Sequence, residues 1–509
     1  MSEMEPLVAQ RAEKRSFLRQ QGDDPYANDF KVDTLAAEFM NCYGAESDNE
    51  VLQKIDKKHA IAGRVMAINR FGKAAFLRVQ DGSADQPKDD GESSAWLQIY
   101  VKRDVVGERT YDEVFKRALD IGDIIGAVGT PMRTKTGELT LKVEEFRILT
   151  KTLRPLPEKW HGLSDVETRY RQRYLDLITN PSVRRNFKIR SEMVAFLRYF
   201  MSERSFLEVE TPMLHPVAGG AAARPFKTHH NSLDVDLYMR IAPELYLKRL
   251  VVGGFDRVYE INRCFRNEGI SSFHNPEFTT LESYQAYATY RDVMKMVEDM
   301  ISGAAQAVLN TTQVQFLGHD ISLAPPFARM SMLEAIEQHG GPSQDLSLDP
   351  HKAREALTQA GCDVEKLDHG QCILALFEHF AESKLIQPTI VYDYPVSVSP
   401  LSRIKSDDPF FVERFELFLG GHELVNAFSE LNDPIDQRER FEKQMQLREA
   451  GDSEAHEMDE SFLRAIEHGL PPTAGFGLGI DRLAMVLSGV STIRDVILFP
   501  QLRPIATEG

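Results

Sequence analysis

Two strings in this 509-residue chain carry the residue types that phosphate chemistry needs. Arg263-Cys-Phe-Arg-Asn-Glu268 sets two guanidinium groups beside a carboxylate; a Gly-Ile-Ser-Ser turn follows, then His274-Asn-Pro-Glu-Phe-Thr-Thr-Leu-Glu282. The pattern predicts two strands joined by a loop, in which an arginine can grip a phosphate through two parallel hydrogen bonds. A surface ion pair between Arg266 and Glu268 is the plainer alternative. In Gly475-Phe-Gly-Leu-Gly-Ile-Asp-Arg482, three alternate glycines strip the side chains from one face of a strand. Either something flat approaches that backbone or the strand bends. Asp481 and Arg482 then open a helix, where an arginine can hold a polyphosphate or lie across an aromatic base. A close-packed strand–helix corner would explain the same letters. Further on, Asn426, Phe428 and Glu430 share one face of a strand-like, apolar run, as a pocket wall would. Glu423 has the opposite parity, which requires a bulge or the end of the ladder.

Other chemistries find no foothold. The chain has no GxxxxGK[ST] phosphate loop, no GxSxG elbow and no HExxH. Its four cysteines (Cys42, Cys264, Cys362, Cys372) form neither a CxxC pair nor a zinc pattern, so a reducing cytoplasmic setting fits and a disulfide framework does not. His229 and His230 are adjacent and would point to opposite faces of a strand, a structural rather than a metal-binding arrangement. No apolar run approaches a membrane span, and the first ten residues do not read as a secretory signal. A net charge of −17 argues against non-specific coating of nucleic acid. Arg11, Lys14, Arg15 and Arg19 follow helical spacing, and we expect them to form a solvated basic face.

Several elements must position these groups. Short alternating runs at 75–80, 96–101 and 139–143, separated by glycine turns, predict a small antiparallel barrel. Its outer face mixes Phe76, Arg78, Trp96, Gln98 and Tyr100. Such a face can stack and read unpaired bases, or it can pack against a neighbouring domain. Residues 82–94 read as a flexible hairpin insertion and 151–160, with two prolines, as a linker. Met193, Phe196, Leu197, Phe200 and Met201 mark an amphipathic helix over 190–201. Residues 291–390 look mainly helical. Phe206-Leu-Glu-Val-Glu-Thr-Pro-Met-Leu214, a strand entering a proline, is unremarkable by itself.

Taken in order, however, the strings around Pro212, Arg266 and Arg482 resemble the three signature motifs of class II aminoacyl-tRNA synthetases. The preceding barrel resembles the anticodon-binding OB domain of the aspartyl, asparaginyl and lysyl subgroup. The wording is closest to the bacterial lysyl-tRNA synthetase family at Arg171-Gln-Arg-Tyr-Leu-Asp-Leu177, Pro243-Glu-Leu-Tyr-Leu-Lys-Arg-Leu250 and His468-Gly-Leu-Pro-Pro-Thr-Ala-Gly475. Two departures stand out. Ser205 replaces a usual glycine of the first motif, and Asn69 fills a barrel position that often holds arginine.

The resemblance implies an α+β chain with a helical extension over 1–57, an OB-fold barrel over 58–150, a linker over 151–185 and a catalytic domain over 186–509. That domain would be a six- to seven-stranded antiparallel sheet flanked by helices, dimerising through the first motif. The implied reaction joins L-lysine to ATP and then to tRNA(Lys), with magnesium as the metal. The implied roles are Arg266 at the α-phosphate and the lysine carboxylate, Phe278 and Arg482 on either side of the adenine, Glu268 at the adenine amino group and His274 at the pyrophosphate. Glu416 and Glu423 would hold magnesium. Glu244 and the Gly220 backbone would take the α-amino group of lysine, and Glu430 with Tyr284 the ε-amino group, beside Glu282, Asn426 and Phe428. Phe76, Gln98 and Glu138 would meet the anticodon. A sister enzyme for aspartate or asparagine would need a cationic pocket where this wall is acidic. A tRNA-independent relative would lack the barrel. A non-catalytic RNA-binding module would have no use for Arg266, Phe278, Arg482 and the glutamates together.

Overall fold

A computed structural model describes residues 4–83, 96–157, 165–221, 223–449, 451 and 455–504. Most of the 82–94 insertion and the end of the 151–160 linker lie outside the described residues. The chain forms two compact units, Met1–Arg185 and Asn186–Gly509.

In the first unit, β1 (His59–Phe71), β2 (Ala74–Gln80), β3 (Leu97–Lys102), β4 (Ile124–Arg133) and β5 (Leu139–Thr150) close into a barrel of order β1-β2-β3-β5-β4. Alternation decides which side chains fill it. Ala75, Leu77, Val79, Leu97, Ile99 and Val101 are buried, while Phe76, Gln98 and Tyr100 stay partly open on the outside. Two of the five strands escaped the period-two pattern for local reasons. β1 carries a bulge between Val65 and Ala67 that reverses its parity. β4 contains two glycines and a proline, a turn-like composition. There a Cβ on Gly126 would collide with the Phe30 ring, and one on Gly129 with the Lys142 carbonyl.

Helix α1 (Met4–Gln20) corrects the expected solvated basic face. Arg11 is 8% exposed and donates to Thr152 Oγ1 and the Ile121 carbonyl, and Lys14 pairs with Asp120 at 2.5 Å. The spacing does put the basic groups on one side of the helix, but barrel-proximal acceptors draw two of them inward.

The second unit is built on an eight-stranded sheet. Its strands are β6 (Leu207–Glu208), β7 (Arg257–Phe265), β8 (Glu277–Ala286), β9 (Ala328–Ser331), β10 (Thr389–Pro395), β11 (Phe411–Leu419), β12 (His422–Ser429) and β13 (Thr473–Gly479), in the order β9-β10-β11-β12-β13-β8-β7-β6. The six central strands are antiparallel. The two short edge strands, β6 and β9, pair in parallel. This exceeds the six or seven strands that the resemblance implied, and the two short parallel edge strands make the difference.

One face of the sheet is covered by α2 (Pro181–Ser202), α4 (Tyr290–Leu309) and α5 (Ile480–Ser488), whose first turn brings Asp481 and Arg482 to the site; α3 (Glu244–Val252) sets Glu244 in the site. Met193, Leu197 and Met201 of α2 are fully buried with Val297, Met300 and Ile301 of α4 against Leu281, Val425 and Phe476 of the sheet. Phe196 lies against Gly303, where a Cβ would come within 2.7 Å of the ring. Burying such side chains contributes about 1.5–3 kcal/mol each, which fixes the sheet's opposite face as the working surface.

Candidate active site

The working face is levelled by glycine. In register, Glu282 lies opposite Gly477 and Tyr284 opposite Gly475 across β8–β13, while Asn426 lies opposite Gly477 and Phe428 opposite Gly475 across β12–β13. The glycine strand is therefore a bare floor between two walls. At Gly475 the space is already taken: a Cβ would sit 2.5 Å from the Tyr284 ring and 2.6 Å from Glu430 Oε1. At Gly477 and Gly479 the nearest atoms are 3.6 and 3.7 Å away, so the bare backbone there faces an open cleft.

That cleft brings together Gly220, Glu244, Arg266, Glu268, His274, Phe278, Glu282, Tyr284, Glu423, Asn426, Phe428 and Arg482. Glu416 and Glu430 lie outside this lining, within the walls. The parity conflict at Glu423 is resolved by a bulge. Leu417 pairs with Val425 but Phe418 pairs with Glu423, which leaves Leu424 as the extra residue and turns Glu423 into the cleft.

At the mouth, the Arg266 guanidinium lies 5.1 Å from the Phe278 ring centroid, and its buried Nε has no partner. The surface pair between Arg266 and Glu268 is replaced by one between Arg263 and Glu277 at 3.1 Å. Arg482 donates to His274 Nε2 (3.3 Å) and to the Glu423 carbonyl. In this state Arg266, rather than Arg482, is the guanidinium against Phe278, because Arg482 is drawn toward His274 and Glu423. His274 Nδ1 meets Ser271 Oγ at 2.9 Å, and burial, aided by the Arg482 charge, holds its imidazole below its usual range. Asp481 carries Arg482 into place: it pairs with Arg190 of α2 and accepts the Thr279 N–H at 2.7 Å. Asp481 thus ties helix, strand and α5 together, a role its place in the Ile-Asp-Arg string did not reveal.

Glu416 accepts from Tyr394 Oη (2.9 Å) and Arg414 (2.5 Å), and Arg414 Nε also donates to Asn426 Oδ1 at 3.0 Å. Burial pushes the Glu416 carboxyl up to about 7, with Arg414 opposing and Glu423 adding. Neighbouring carboxylates such as Glu416 and Glu423 suit a hard divalent cation. Among the described residues no cluster of three or more His, Cys, Asp or Glu forms a complete metal site. Magnesium commonly binds through one or two carboxylates plus phosphate oxygens, which fits Glu416 and Glu423.

The far end of the cleft is acidic. Glu244, at the start of α3, and Glu430, just beyond β12, are 6% and 1% exposed. Between them lies Lys248, which the sequence alone does not mark as part of the site. Lys248 is fully buried, with Nζ 2.5 Å from Glu244 Oε1 and in contact with Glu430 Oε2. The spacing from Glu244 to Lys248 is the helical i,i+4 interval, which is the signal that was available. Glu282 takes only the Tyr284 hydroxyl, at 3.4 Å. Burial pushes its carboxyl up to about 8, with Glu244 adding and Arg266 and Arg240 opposing. Arg240 itself is buried against Glu260 at 2.7 Å and holds the Arg263 carbonyl at 2.8 Å, bracing the base of the loop.

On the barrel, Phe76 stands between Asn69 and Tyr100 in register, its ring 4.9 Å from that of Tyr100. Gln98 Nε2 donates to Thr140 Oγ1, and Glu138 is exposed after the 134–137 turn.

Comparison with known proteins decides the family. Residues 165–503 match the class II tRNA synthetases (D, K and N), and residues 60–149 match the OB-fold nucleic acid binding domain. A lysine–tRNA ligase of Pelotomaculum thermopropionicum is 51% identical over 99% of this chain and 96% of its own length. Those of Carboxydothermus hydrogenoformans (51%, 99% of each) and Anaeromyxobacter sp. (52%, 98% and 97%) are equally similar. The chain belongs to the class II lysyl-tRNA synthetases. A lysyl-tRNA synthetase is an aminoacyl-tRNA ligase, and the glycine-floored cleft of this one lies within the matched 165–503 segment.

Proposed function

We propose that this synthetase activates L-lysine with ATP to lysyl-adenylate and passes the lysyl group to the 3′ end of tRNA(Lys), using the cleft residues as follows. The observation that carries the residue assignment is the polarity of the cleft: arginines at one end, three buried or half-buried glutamates at the other. The lysine carboxylate attacks the α-phosphorus of ATP and pyrophosphate leaves. The nucleophile is already an anion, so no side-chain base is required. Catalysis comes from holding the reactants in line and offsetting charge on the phosphoryl oxygens. Arg266, with an uncommitted Nε, orients the α-phosphate and the lysine carboxylate. Phe278 offers the stacking surface for adenine, with Glu268 beside it. His274 and Arg482 turn from each other to the departing pyrophosphate. Glu416 and Glu423 would hold magnesium, which when bound adds positive charge beside the phosphates.

Glu244 and the Gly220 backbone take the α-ammonium group. Glu430, Tyr284 and Glu282 take the ε-ammonium group, and Asn426 and Phe428 form the wall beside it. A pocket for aspartate or asparagine would present cations at this end. Phe76, Gln98 and Glu138 meet the anticodon, and the aromatic row Phe76–Tyr100 gives bases a surface on which to stack. Dimerisation through the first motif is supported by a run of exposed apolar groups, Leu207, Met213 and Leu214 with Leu233 and Val235, that water alone would disfavour. No described helix is long and apolar enough to cross a membrane, and with four free cysteines a cytoplasmic location is part of this reading.

Lysine-dependent ATP–pyrophosphate exchange tests the reading. The wild type is expected to support it, and Arg266→Ala to lower it by at least about 10²-fold, the scale for removing a charge aimed at the reacting group. Exchange by Arg266→Ala within about tenfold of wild type would remove Arg266 from the reaction.

A further inference from the structure

The pair of carboxylates assigned above to the two ammonium groups of lysine already shares a cation. We propose that Lys248 is a positioning residue for lysine selection: its buried ammonium takes one oxygen of Glu244 and one of Glu430, and leaves the second oxygen of each for the substrate. This deepens, and rests on, the reading of Glu244 and Glu430 as ammonium acceptors.

Geometry carries the proposal. Lys248 Nζ lies 2.5 Å from Glu244 Oε1 and makes an ion-pair contact with Glu430 Oε2; both Glu430 oxygens are buried and neither accepts a well-aligned hydrogen bond, and Oε1 has no ion-pair contact either. Glu430 Oε1 lies 2.6 Å from where a Cβ on Gly475 would be, and Gly475 and Tyr284 both line the cleft. An unpaired buried carboxylate oxygen costs free energy until a donor reaches it. Lysine's ε-ammonium is a donor of matching charge.

Charge counting gives the same answer. With all groups ionised, Glu244, Glu282 and Glu430 carry three negative charges and Lys248 one positive, leaving two. Lysine brings two ammonium groups, and its carboxylate is matched by Arg266. Without Lys248 the pocket would hold one carboxylate more than the substrate neutralises. The other groups facing Lys248 do not supply that charge. The rings of Phe428, Phe462 and Tyr284 lie 5.4–6.0 Å from Nζ, which favours a cation there. His456 is buried and pushed down to about 4 by that burial, the Lys248 charge adding, so it is neutral. Burial pushes the Glu244 and Glu430 carboxyls up; Lys248 is the main opposing charge at both, with Arg414 adding at Glu244.

The test uses the full chain and three variants, Lys248→Met, Glu430→Gln and Lys248→Met/Glu430→Gln. It reads lysine KM and kcat by pyrophosphate exchange and the protons released on lysine binding by calorimetry in two buffers. For Lys248→Met we expect lysine KM to rise by about 10²-fold or more, kcat at saturating lysine to stay within about tenfold, and about one extra proton to be released, because a proton replaces the missing cation in the empty pocket. The double variant, which removes the pair as a neutral unit, should keep a KM at least about 30-fold raised. A Lys248→Met enzyme with lysine KM within threefold of wild type and the same proton count would overturn the proposal. So would a double variant restored to within threefold, since the pair would then be structural. If both Lys248 variants fail to fold while Glu430→Gln folds, Lys248 belongs to the fold alone and the proposal is wrong. Wild-type lysine KM in Glu430→Gln would instead sink the underlying acceptor reading, a result separable from all of these.

Discussion

At the scale of single residues, the cleft is organised by which buried charges have partners. Glu282 is the carboxyl with the weakest support, a hydroxyl at 3.4 Å, and burial pushes it up to about 8. A carboxyl raised in the folded state favours folding while it stays protonated. Its contribution is full below about 4.5, the unfolded value, and is lost as pH rises through about 8. A bound ammonium group reverses this by stabilising the ionised form. Lysine binding at pH 7 should therefore release about one proton from Glu282, and the rise in Tm given by saturating lysine should grow between pH 6 and pH 8.5. Calorimetry in buffers of different ionisation enthalpy measures the first. A Glu282→Gln enzyme that releases as many protons as wild type would show that the proton comes from elsewhere.

At the scale of elements, most of what positions the site was legible, and the exceptions have physical causes. The glycine strand with its helix, the two strands around Arg266 and the barrel's inner faces follow from periods of two and from glycine placement, which are local properties. The parity of Glu423 exposed a bulge without saying where it lay. β1 and β4 were missed because a bulge and a glycine–proline composition hide alternation, and the parallel edge strand β9 because four residues are too few to show it; β6 lies within the strand expected before Pro212. The role of Asp481 was missed because its partners lie on other elements; Lys248 and Arg414 each have one local partner, Glu244 and Glu416, but also reach across to Glu430 and Asn426, which nothing local in the sequence records. Ser205 is the reverse case, where a letter out of place had structural content. It closes α2 in the left-handed region (φ 61°), with the Ser205 and Phe206 N–H groups bonded to the Ser202 and Met201 carbonyls. Glycine adopts this conformation without the Cβ penalty. Ser205→Gly should raise stability by about 0.5–1 kcal/mol in denaturant unfolding and leave pyrophosphate exchange unchanged. A loss of stability would mean that the serine side chain contributes more than its backbone strain costs.

At the scale of the whole molecule, the account divides the work: residues in 186–509 activate the amino acid and the barrel reads tRNA. Phe76 is the sharpest probe of that division, since stacking of a base on an aromatic ring is worth about 1–3 kcal/mol. Phe76→Ala should lower kcat/KM for tRNA in aminoacylation by roughly 10- to 100-fold. It should leave exchange without tRNA at the wild-type level. Unchanged aminoacylation would remove this face from tRNA recognition. The deeper claim is that buried carboxylates at the end of the glycine-floored cleft select lysine by its terminal charge. Exchange kinetics with lysine and with norleucine, which lacks only the ε-ammonium group, measure it directly in the wild type and in Glu430→Gln. The account predicts a wild-type preference for lysine on the order of 10⁴-fold or more, since a site built for a charged donor rejects the analogue without one. In Glu430→Gln it predicts a fall of at least about 10²-fold in kcat/KM for lysine and little change for norleucine. Lysine kinetics unaltered by Glu430→Gln, or a wild type that activates norleucine nearly as well as lysine, would contradict it.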